Sequence, residues 1–188
     1  QKKHAYKASD GIYFSISKFK NYGKLAEIGN IREKSRIRND EYDKQNPGDF
    51  ALWKFHTKDD GDVFWDSEVG KGRPGWHIEC SAMSMKFLGS HFDIHTGGMD
   101  LIFPHHTNEI AQSECSTGKK FVNYWFHSGF LNMKEGKMSK SLGNILTLSE
   151  LKSKSFEGLD FRYLCLSNHY RKPLEFSFEN LESAKNSL

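Results

Sequence analysis

The sequence contains little cysteine, few prolines and no long hydrophobic run. Its three cysteines among 188 residues are an odd set without a CxxC pair, which argues against a disulfide framework and favours a reducing compartment. No apolar run approaches the roughly 18 residues that a membrane-spanning helix requires. The polar opening QKKHAYKASDG also lacks the apolar stretch of an export signal. We therefore expect a cytoplasmic protein with no membrane span.

A strong excess of one charge is also absent. The net charge of +3 comes from 27 basic and 24 acidic residues, so charge alone does not identify a nucleic-acid binder, although it permits a polyanionic partner. We find no internal repeat and no linker rich in Pro, Gly and Ser. A hydrophobic content of 37% suffices for one sizeable core or two small units.

Strand patterns and helix patterns alternate along the chain. Residues 1–68 combine short aromatic-rich strand candidates, such as 12–16, with charged loops. A helical pattern follows, in which apolar residues recur before the stop at Gly89; they are Ile78, Ala82, Met85 and Leu88.

The second half of the chain continues this alternation. FDIHTGG predicts a short buried strand, Pro104 begins a helix that Gly118 ends, and NYWFHSGFL predicts another strand. Thr147 and Glu150 form a capping box at the start of a helix, and further helices are expected at 160–167 and from Ser177 onward. Such alternation predicts an α/β sheet whose ligand site lies beyond the carboxyl ends of its strands.

The stretch FPHHTNEIAQSEC places two histidines and a glutamate at the start of a predicted helix. Residues four apart share a helix face, so His105 and Glu109 can hold one ion, whereas His106 is paired at that spacing only with Ile110. The spacing therefore selects His105 as the candidate ligand.

A third ligand can come from one of two cysteines. A helix turns once in roughly 3.6 residues, so Cys115, ten residues after His105, lies about 80 degrees around the helix from it. At that angle Cys115 does not share the helix face of His105. Cys80 on the preceding helix is therefore the better candidate. Zinc accepts Cys, His and Glu. The residue types leave a second interpretation open, in which the His and Glu are a solvated surface pair and the cysteine is packed in the core.

The segment KMSKS forms a loop between a strand and a capped helix, with glycines on both sides. Lys137 and Lys140, together with Ser139 and Ser141, suit the binding of phosphate oxygens while charge moves onto a leaving group. A hydrated surface loop is the competing interpretation.

Several segments together resemble cysteinyl-tRNA synthetase, a class I aminoacyl-tRNA synthetase. They are GRPGWHIECSAM, FDIHTGGMDLIFPHHTNEIAQSEC, KMSKSLGN and NHYRKPLEFSFENL, and the resemblance covers nearly all of the chain. It implies part of a Rossmann-like parallel sheet, the second half of the catalytic domain. The domains implied are a connective insertion (1–68), the catalytic half with a zinc site and the KMSKS loop (69–145), and a helical segment that contacts the tRNA stem (146–188).

By the same resemblance, Cys80, His105 and Glu109 are ligands of one zinc ion per chain. Trp76 lines the pocket for the amino acid, although core packing is an equally good explanation of a tryptophan. His95 and the second histidine of the pair receive no assigned role.

The resemblance further implies that Gly98 and Asp100 bind ATP, which carries Mg²⁺. Asp100 could instead be a charge at a helix N-terminus. Lys140 corresponds to the ATP-contacting lysine of the family, and Lys137 shares its catalytic role.

The reaction implied is the activation of L-cysteine by ATP and its transfer to tRNA(Cys), with Arg171 and Lys172 available for phosphate contacts. The family's N-terminal ATP signature, a fourth zinc ligand and the anticodon-binding domain are not in this sequence, so we expect a fragment that is inactive alone. The alternatives are the related cysteine ligase of mycothiol synthesis and a non-catalytic fragment that binds zinc or RNA.

Overall fold

The computed structural model describes residues 3–27, 46–133 and 146–188. These residues form two compact units. The first contains residues up to His95 together with Asp100–Trp125, and the second contains Thr96–Met99 together with Phe126–Leu188. The KMSKS segment, with Lys137 and Lys140, lies outside the described residues. The domain boundaries at 68 and 145 stay predictions.

The first unit begins with a four-stranded antiparallel sheet in the order β1-β2-β3-β4. Its strands are β1 (Ala5–Lys7), β2 (Gly11–Phe14), β3 (Phe50–Phe55) and β4 (Gly72–Pro74). The strand predicted at 12–16 therefore exists but ends two residues early. Ile16 begins a 3-10 turn instead, because its N–H is held by the Asp49 carboxylate at 3.0 Å.

Helix α1 (Trp76–Leu88) follows the sheet and ends at Gly89, as predicted. Gly89 has φ of 86°, a left-handed value that glycine adopts without strain. The apolar face expected for this helix is largely open within the described structure: Ala82 is exposed and Leu88 is 58% exposed.

Strand β5 (Phe92–Gly98) pairs with β6 (Val122–Ser128), and α2 (Thr107–Thr117) lies between them in the chain. The prediction of a buried β5 was wrong, since among its residues Phe92 alone is buried. Phe92 packs edge-on against Phe121 at 5.0 Å between ring centres, next to Val122.

Helix α2 begins later than the sequence predicted. A π-type turn, Ile102–His106, precedes it, and Phe103 within that turn has the extended backbone angles −137° and 131°. The ring of Pro104 disfavours helical angles in the residue before it, which explains the interruption. Gly118, with φ of 75°, ends α2 as predicted.

The second unit packs three helices against a parallel pair of strands, β7 (Leu131–Met133) and β8 (Leu174–Phe176). The helices are α3 (Leu148–Ser153), α4 (Gly158–Leu166) and α5 (Phe178–Lys185). Their shared core consists of Leu151, Phe156, Leu164, Phe176, Leu181 and Ala184. The α/β class is confirmed.

The helix starts predicted for this unit from local sequence were correct. The Thr147–Glu150 capping box is present, and Ser177 caps α5. The single strand predicted across NYWFHSGFL was wrong, because β6 and β7 are separated at Gly129. There the N–H of Gly129 donates to Tyr170 O at 2.7 Å, and a Cβ atom would collide with the backbone of Lys172.

No helix within the described ranges is both long enough and apolar enough to cross a bilayer.

Candidate metal and substrate site

The first unit brings together the three side chains that the sequence selected as metal ligands. Cys80 comes from α1, His105 from the turn before α2, and Glu109 from α2 itself. One ligand atom from each lies within 4.8 Å of the other two, a separation compatible with one shared ion. The predicted spacing of four is reflected in a distance of 3.8 Å from His105 Nε2 to Glu109 Oε2.

Glu109 is fully buried, and neither of its carboxylate oxygens has a hydrogen-bond partner. His105 is only 4% exposed. The interpretation of these two residues as a solvated surface pair was therefore wrong. A buried carboxylate without compensation is costly, and coordination of a cation is one of the few arrangements that stabilise it.

Burial favours the neutral forms of two of the candidate ligands, His105 and Cys80. Burial lowers the pKa of His105, although the Glu109 carboxylate acts in the opposite direction. Burial, together with Glu109 and Glu79, raises the pKa of the Cys80 thiol. A neutral imidazole can coordinate a metal directly, whereas the thiol must lose its proton when the metal binds. These residues therefore fit a divalent cation that accepts nitrogen, sulfur and oxygen.

His95 and His106 form a second group around Glu109 that the sequence did not reveal. His95 Nε2 lies 3.3 Å and His106 Nε2 lies 3.8 Å from Glu109 Oε2. The ring of Trp125 packs on both imidazoles, at 4.8 and 4.9 Å between centres. His106 lies three residues before Glu109, and residues three apart also share a helix face. The spacing of four alone therefore did not reveal that His106 lies near Glu109.

Trp76 lies at the outer side of this cluster. Its ring is centred 4.6 Å from that of His105, yet the residue is 58% exposed. The alternative interpretation, in which Trp76 is packed in the core, was therefore wrong. His77 lies between the same groups, with its Nδ1 atom 2.9 Å from Nδ1 of His105. Burial and the neighbouring His105 lower the pKa of His77 to about 3.

Gln112 connects the two helices that supply the ligands. Its Nε2 atom donates to the carbonyl of His77 at 2.6 Å and to Ser81 Oγ at 2.5 Å. Because both acceptors belong to α1 while Gln112 belongs to α2, these bonds hold Cys80 in place relative to Glu109. Cys115, further along α2, belongs to neither metal-ligand group, as expected.

The remaining candidate residues lie elsewhere. Gly98 ends β5, and Asp100 is exposed in the 3-10 turn Met99–Leu101. Their predicted roles in ATP binding stay predictions, as do those of Lys137 and Lys140.

The chain is similar to known proteins along nearly its whole length. The family model described as "tRNA synthetases class I (C) catalytic domain" matches residues 1–186. Among curated proteins, the cysteine–tRNA ligase of Brachyspira hyodysenteriae is 52% identical over 98% of this chain and 40% of its own length. The cysteine–tRNA ligase of Chlamydia muridarum is 54% identical, again over 98% of this chain and 40% of its own length. That of Methanococcus aeolicus is 52% identical over 100% of this chain and 39% of its own length.

The chain thus spans about 40% of the length of the curated relatives it matches. The match nevertheless extends across both units and contains the whole cluster around Glu109. This chain belongs to the family of class I tRNA synthetase catalytic domains that occurs in the cysteine–tRNA ligases.

Proposed function

We propose that this chain acts in an ATP-dependent cysteine–tRNA ligase, as the part of the catalytic domain that recognises cysteine. The observation that carries the proposal is the convergence of Cys80, His105 and Glu109, whose ligand atoms lie within 4.8 Å of one another. Relatives named cysteine–tRNA ligase, about half identical over nearly the whole chain, support it further.

Zinc is the metal that we propose for this group. Thiolate, imidazole and carboxylate are its usual ligands, and zinc can expand from four to five ligands during a reaction, which leaves room for a substrate atom. When bound, zinc would favour a substrate that can supply a thiolate over one that offers only a hydroxyl. The buried Glu109 carboxylate supplies the negative charge that offsets the cation.

The residues around the metal group would shape the rest of the cysteine pocket. Trp76 presents an exposed ring beside His105 and can exclude larger amino acids. His95, 3.3 Å from Glu109, limits the directions in which that carboxylate can turn. Sites that require a specific polar contact reject analogues lacking it by about 10⁴-fold or more, so discrimination against serine would need no editing site.

Activation of cysteine requires that its carboxylate attack the α-phosphate of ATP, with pyrophosphate as the leaving group. The cysteinyl group then passes to the 3′ end of tRNA(Cys). We assign Lys137 and Lys140 to the phosphates, Gly98 and Asp100 to the nucleoside part of ATP, and Mg²⁺ to the triphosphate. These groups position reactants and stabilise developing charge, and no covalent intermediate with the protein is needed.

An exposed cluster in the second unit supports tRNA as the partner. The rings of His169 and Tyr170 stack at 4.8 Å, and Arg171 Nε donates to the hydroxyl of Tyr170 at 3.1 Å. Lys172 follows in the chain and is also exposed. Aromatic faces beside cations suit contacts to nucleic-acid bases and phosphates. We also propose a cytoplasmic location, since none of the three cysteines forms a disulfide in this structure.

The metal assignment is tested with Glu109→Gln in the full-length protein. We expect the wild-type protein to contain zinc. The variant should lose more zinc affinity than the roughly 10- to 100-fold that removal of an outer-sphere partner causes, because it loses a direct ligand. The measurements are elemental analysis and competition with a chromogenic chelator, alongside cysteine-dependent exchange between ATP and pyrophosphate.

Glu68→Gln is the matched control, because Glu68 is an exposed glutamate of the first unit that lies outside the candidate metal site. It should keep both metal and exchange activity. Purified full-length protein that exchanges pyrophosphate without any bound zinc would contradict the metal assignment while leaving the ligase assignment intact.

A further inference from the structure

The first turn of α2 is held by Tyr22, a residue that no motif in the sequence points to. Tyr22 lies between the 3-10 turns Ile16–Lys18 and Lys24–Ala26, and its hydroxyl donates to Asn108 Oδ1 at 2.5 Å. Asn108 is 2% exposed and directly precedes Glu109 on α2. One hydrogen bond therefore connects an early part of the chain to the residue beside a candidate metal ligand.

The ring of Tyr22 is held by a hydrophobic core that includes the same helix. Ala111 of α2 is fully buried and shares this core with three earlier residues; they are Phe14, Ile16 and Phe50. The rings of Phe19 and Tyr22 pack against it. Burial and the Asp49 carboxylate raise the pKa of Tyr22, so its hydroxyl keeps the proton that it donates. The tyrosine is thus attached to α2 by its ring and by its hydroxyl.

The carboxylate of Glu109 depends on the position of α2, because neither of its oxygens has a hydrogen-bond partner among the described residues. The helix backbone and contacts with the surrounding rings must therefore place it. Gln112, four residues after Asn108 and so on the same helix face, connects α2 to α1. The bond from Tyr22 is a second attachment, and it acts on the residue next to Glu109.

We propose that Tyr22 is a positioning residue of the metal site, whose bond to Asn108 fixes the first turn of α2 and thereby the placement of Glu109. This inference rests on the metal site of the proposed function and adds a residue from outside the helices that carry the ligands. Without the hydroxyl, Asn108 Oδ1 would be a buried acceptor that has lost its donor. Such a group is unfavourable, which favours a shift of the first turn that restores a partner. That shift would move Glu109 relative to Cys80.

Tyr22→Phe in the full-length protein tests this role, because it removes the hydroxyl and keeps the ring. We expect zinc affinity to fall about tenfold, the lower end of the range for loss of a group that orients a ligand. Competition with a chromogenic chelator measures the affinity. In protein loaded with Co²⁺ in place of zinc, the absorption bands of the metal should also change, because they depend on the arrangement of the ligands.

Tyr13→Phe is the matched control. Tyr13 belongs to the same unit, and its hydroxyl also makes a partly buried hydrogen bond, at 2.8 Å, but to Asp10, which lies outside both metal-ligand groups. Both variants should lower the thermal stability. Only Tyr22→Phe should lower zinc affinity and change the Co²⁺ bands.

Asn108→Ala removes the same bond from the side of α2, and it keeps the inference testable if Tyr22→Phe does not fold. It should also weaken zinc binding. If Tyr22 acts through Asn108, the double variant should lose no more zinc affinity than Asn108→Ala alone.

Three results would overturn the inference: unchanged zinc affinity in Tyr22→Phe, equal losses in Tyr22→Phe and Tyr13→Phe, or additive losses in the double variant. Each of these leaves the metal assignment intact as long as the wild type binds zinc. A wild-type protein that binds neither zinc nor Co²⁺ would overturn the metal assignment and this inference together.

Discussion

At the scale of single residues, the most unusual group is the Glu109 carboxylate. Three imidazole Nε2 atoms lie between 3.3 and 3.8 Å from its Oε2 atom, but none forms a hydrogen bond with it. The cation proposed above would compensate this buried carboxylate directly.

A second network, which lies partly buried in the antiparallel sheet, concerns stability. Lys54 Nζ and the Tyr13 hydroxyl both donate to Asp10 Oδ2, at 2.5 and 2.8 Å. Burial by itself would raise the pKa of Asp10, but these two hydrogen bonds and the charge of Lys54 outweigh it and hold the pKa below its ordinary value.

This network predicts a pH-dependent contribution to folding. The pKa of Asp10 is lower in the folded state than in the unfolded chain, where it is about 3.9. The ionised carboxylate therefore adds its full contribution to the free energy of unfolding above the unfolded pKa. This contribution is lost as the pH falls through the folded pKa. Asp10→Asn should lower the free energy of unfolding at pH 7 by about 1–2 kcal/mol, with a smaller difference below pH 4. Urea unfolding at several pH values measures this.

Asp59→Asn is the comparison for that experiment, since Asp59 is an exposed carboxylate on the same unit. Its effect should be within about 0.5 kcal/mol at every pH. A constant difference between wild type and Asp10→Asn down to the lowest pH would show that the charge of Asp10 does not contribute.

At the scale of elements, the position of α1 depends on a close approach of two backbones. Gly75 precedes the helix, and its N–H donates to Leu52 O at 2.9 Å. A Cβ atom on Gly75 would overlap Ala51 O in β3. This contact places the first turn of α1, which carries Trp76, next to the sheet.

Gly75→Ala should therefore displace the start of α1. We expect a loss of about 1–3 kcal/mol in the free energy of unfolding, because the collision is with backbone and cannot be relieved by a rotamer change. Zinc affinity should fall as well, since Cys80 moves with the helix. Thermal unfolding and chelator competition measure the two effects.

Gly158→Ala is the matched control, because nothing lies within 4 Å of a Cβ atom there at the start of α4. It should be neutral or should stabilise the protein by up to about 1 kcal/mol. If both alanine variants behaved alike, the close approach at Gly75 would not determine the position of α1.

Element ends that depend on neighbouring residues could be predicted, whereas an end that depends on distant contacts could not. The glycine stops at Gly89 and Gly118 and the capping box at Thr147 depend only on neighbouring residues, so the sequence displays them. The split between β6 and β7 was missed because it results from contacts of Gly129 with Tyr170 and Lys172, which lie far along the chain.

At the scale of the whole molecule, the two units carry different parts of the proposed function. The candidate metal ligands and the rings around them belong to the first unit, and the exposed His169–Lys172 cluster belongs to the second. The net charge of +3 is too small to predict tRNA binding, so the proposed tRNA contact depends on a local cluster of charge.

Arg171→Ala in the full-length protein should weaken tRNA binding and make it less sensitive to salt. Each lost phosphate contact lowers the slope of log affinity against log salt by about one, because fewer counterions are released. Filter binding at several salt concentrations measures the slope. Lys58→Ala, an exposed lysine of the first unit, is the control and should leave the slope unchanged. An unchanged slope for Arg171→Ala would remove this residue from the tRNA interface.

The sequence by itself determined the helix face shared by His105 and Glu109, the ends of two helices and the family, because these depend on local spacing and on motifs. Tertiary structure alone decided that Glu109 is completely buried, that Cys80 reaches it from α1, and that His95 joins it from β5. The physical reason is that burial and contacts between separate elements arise from packing, which leaves no periodic signal in the chain.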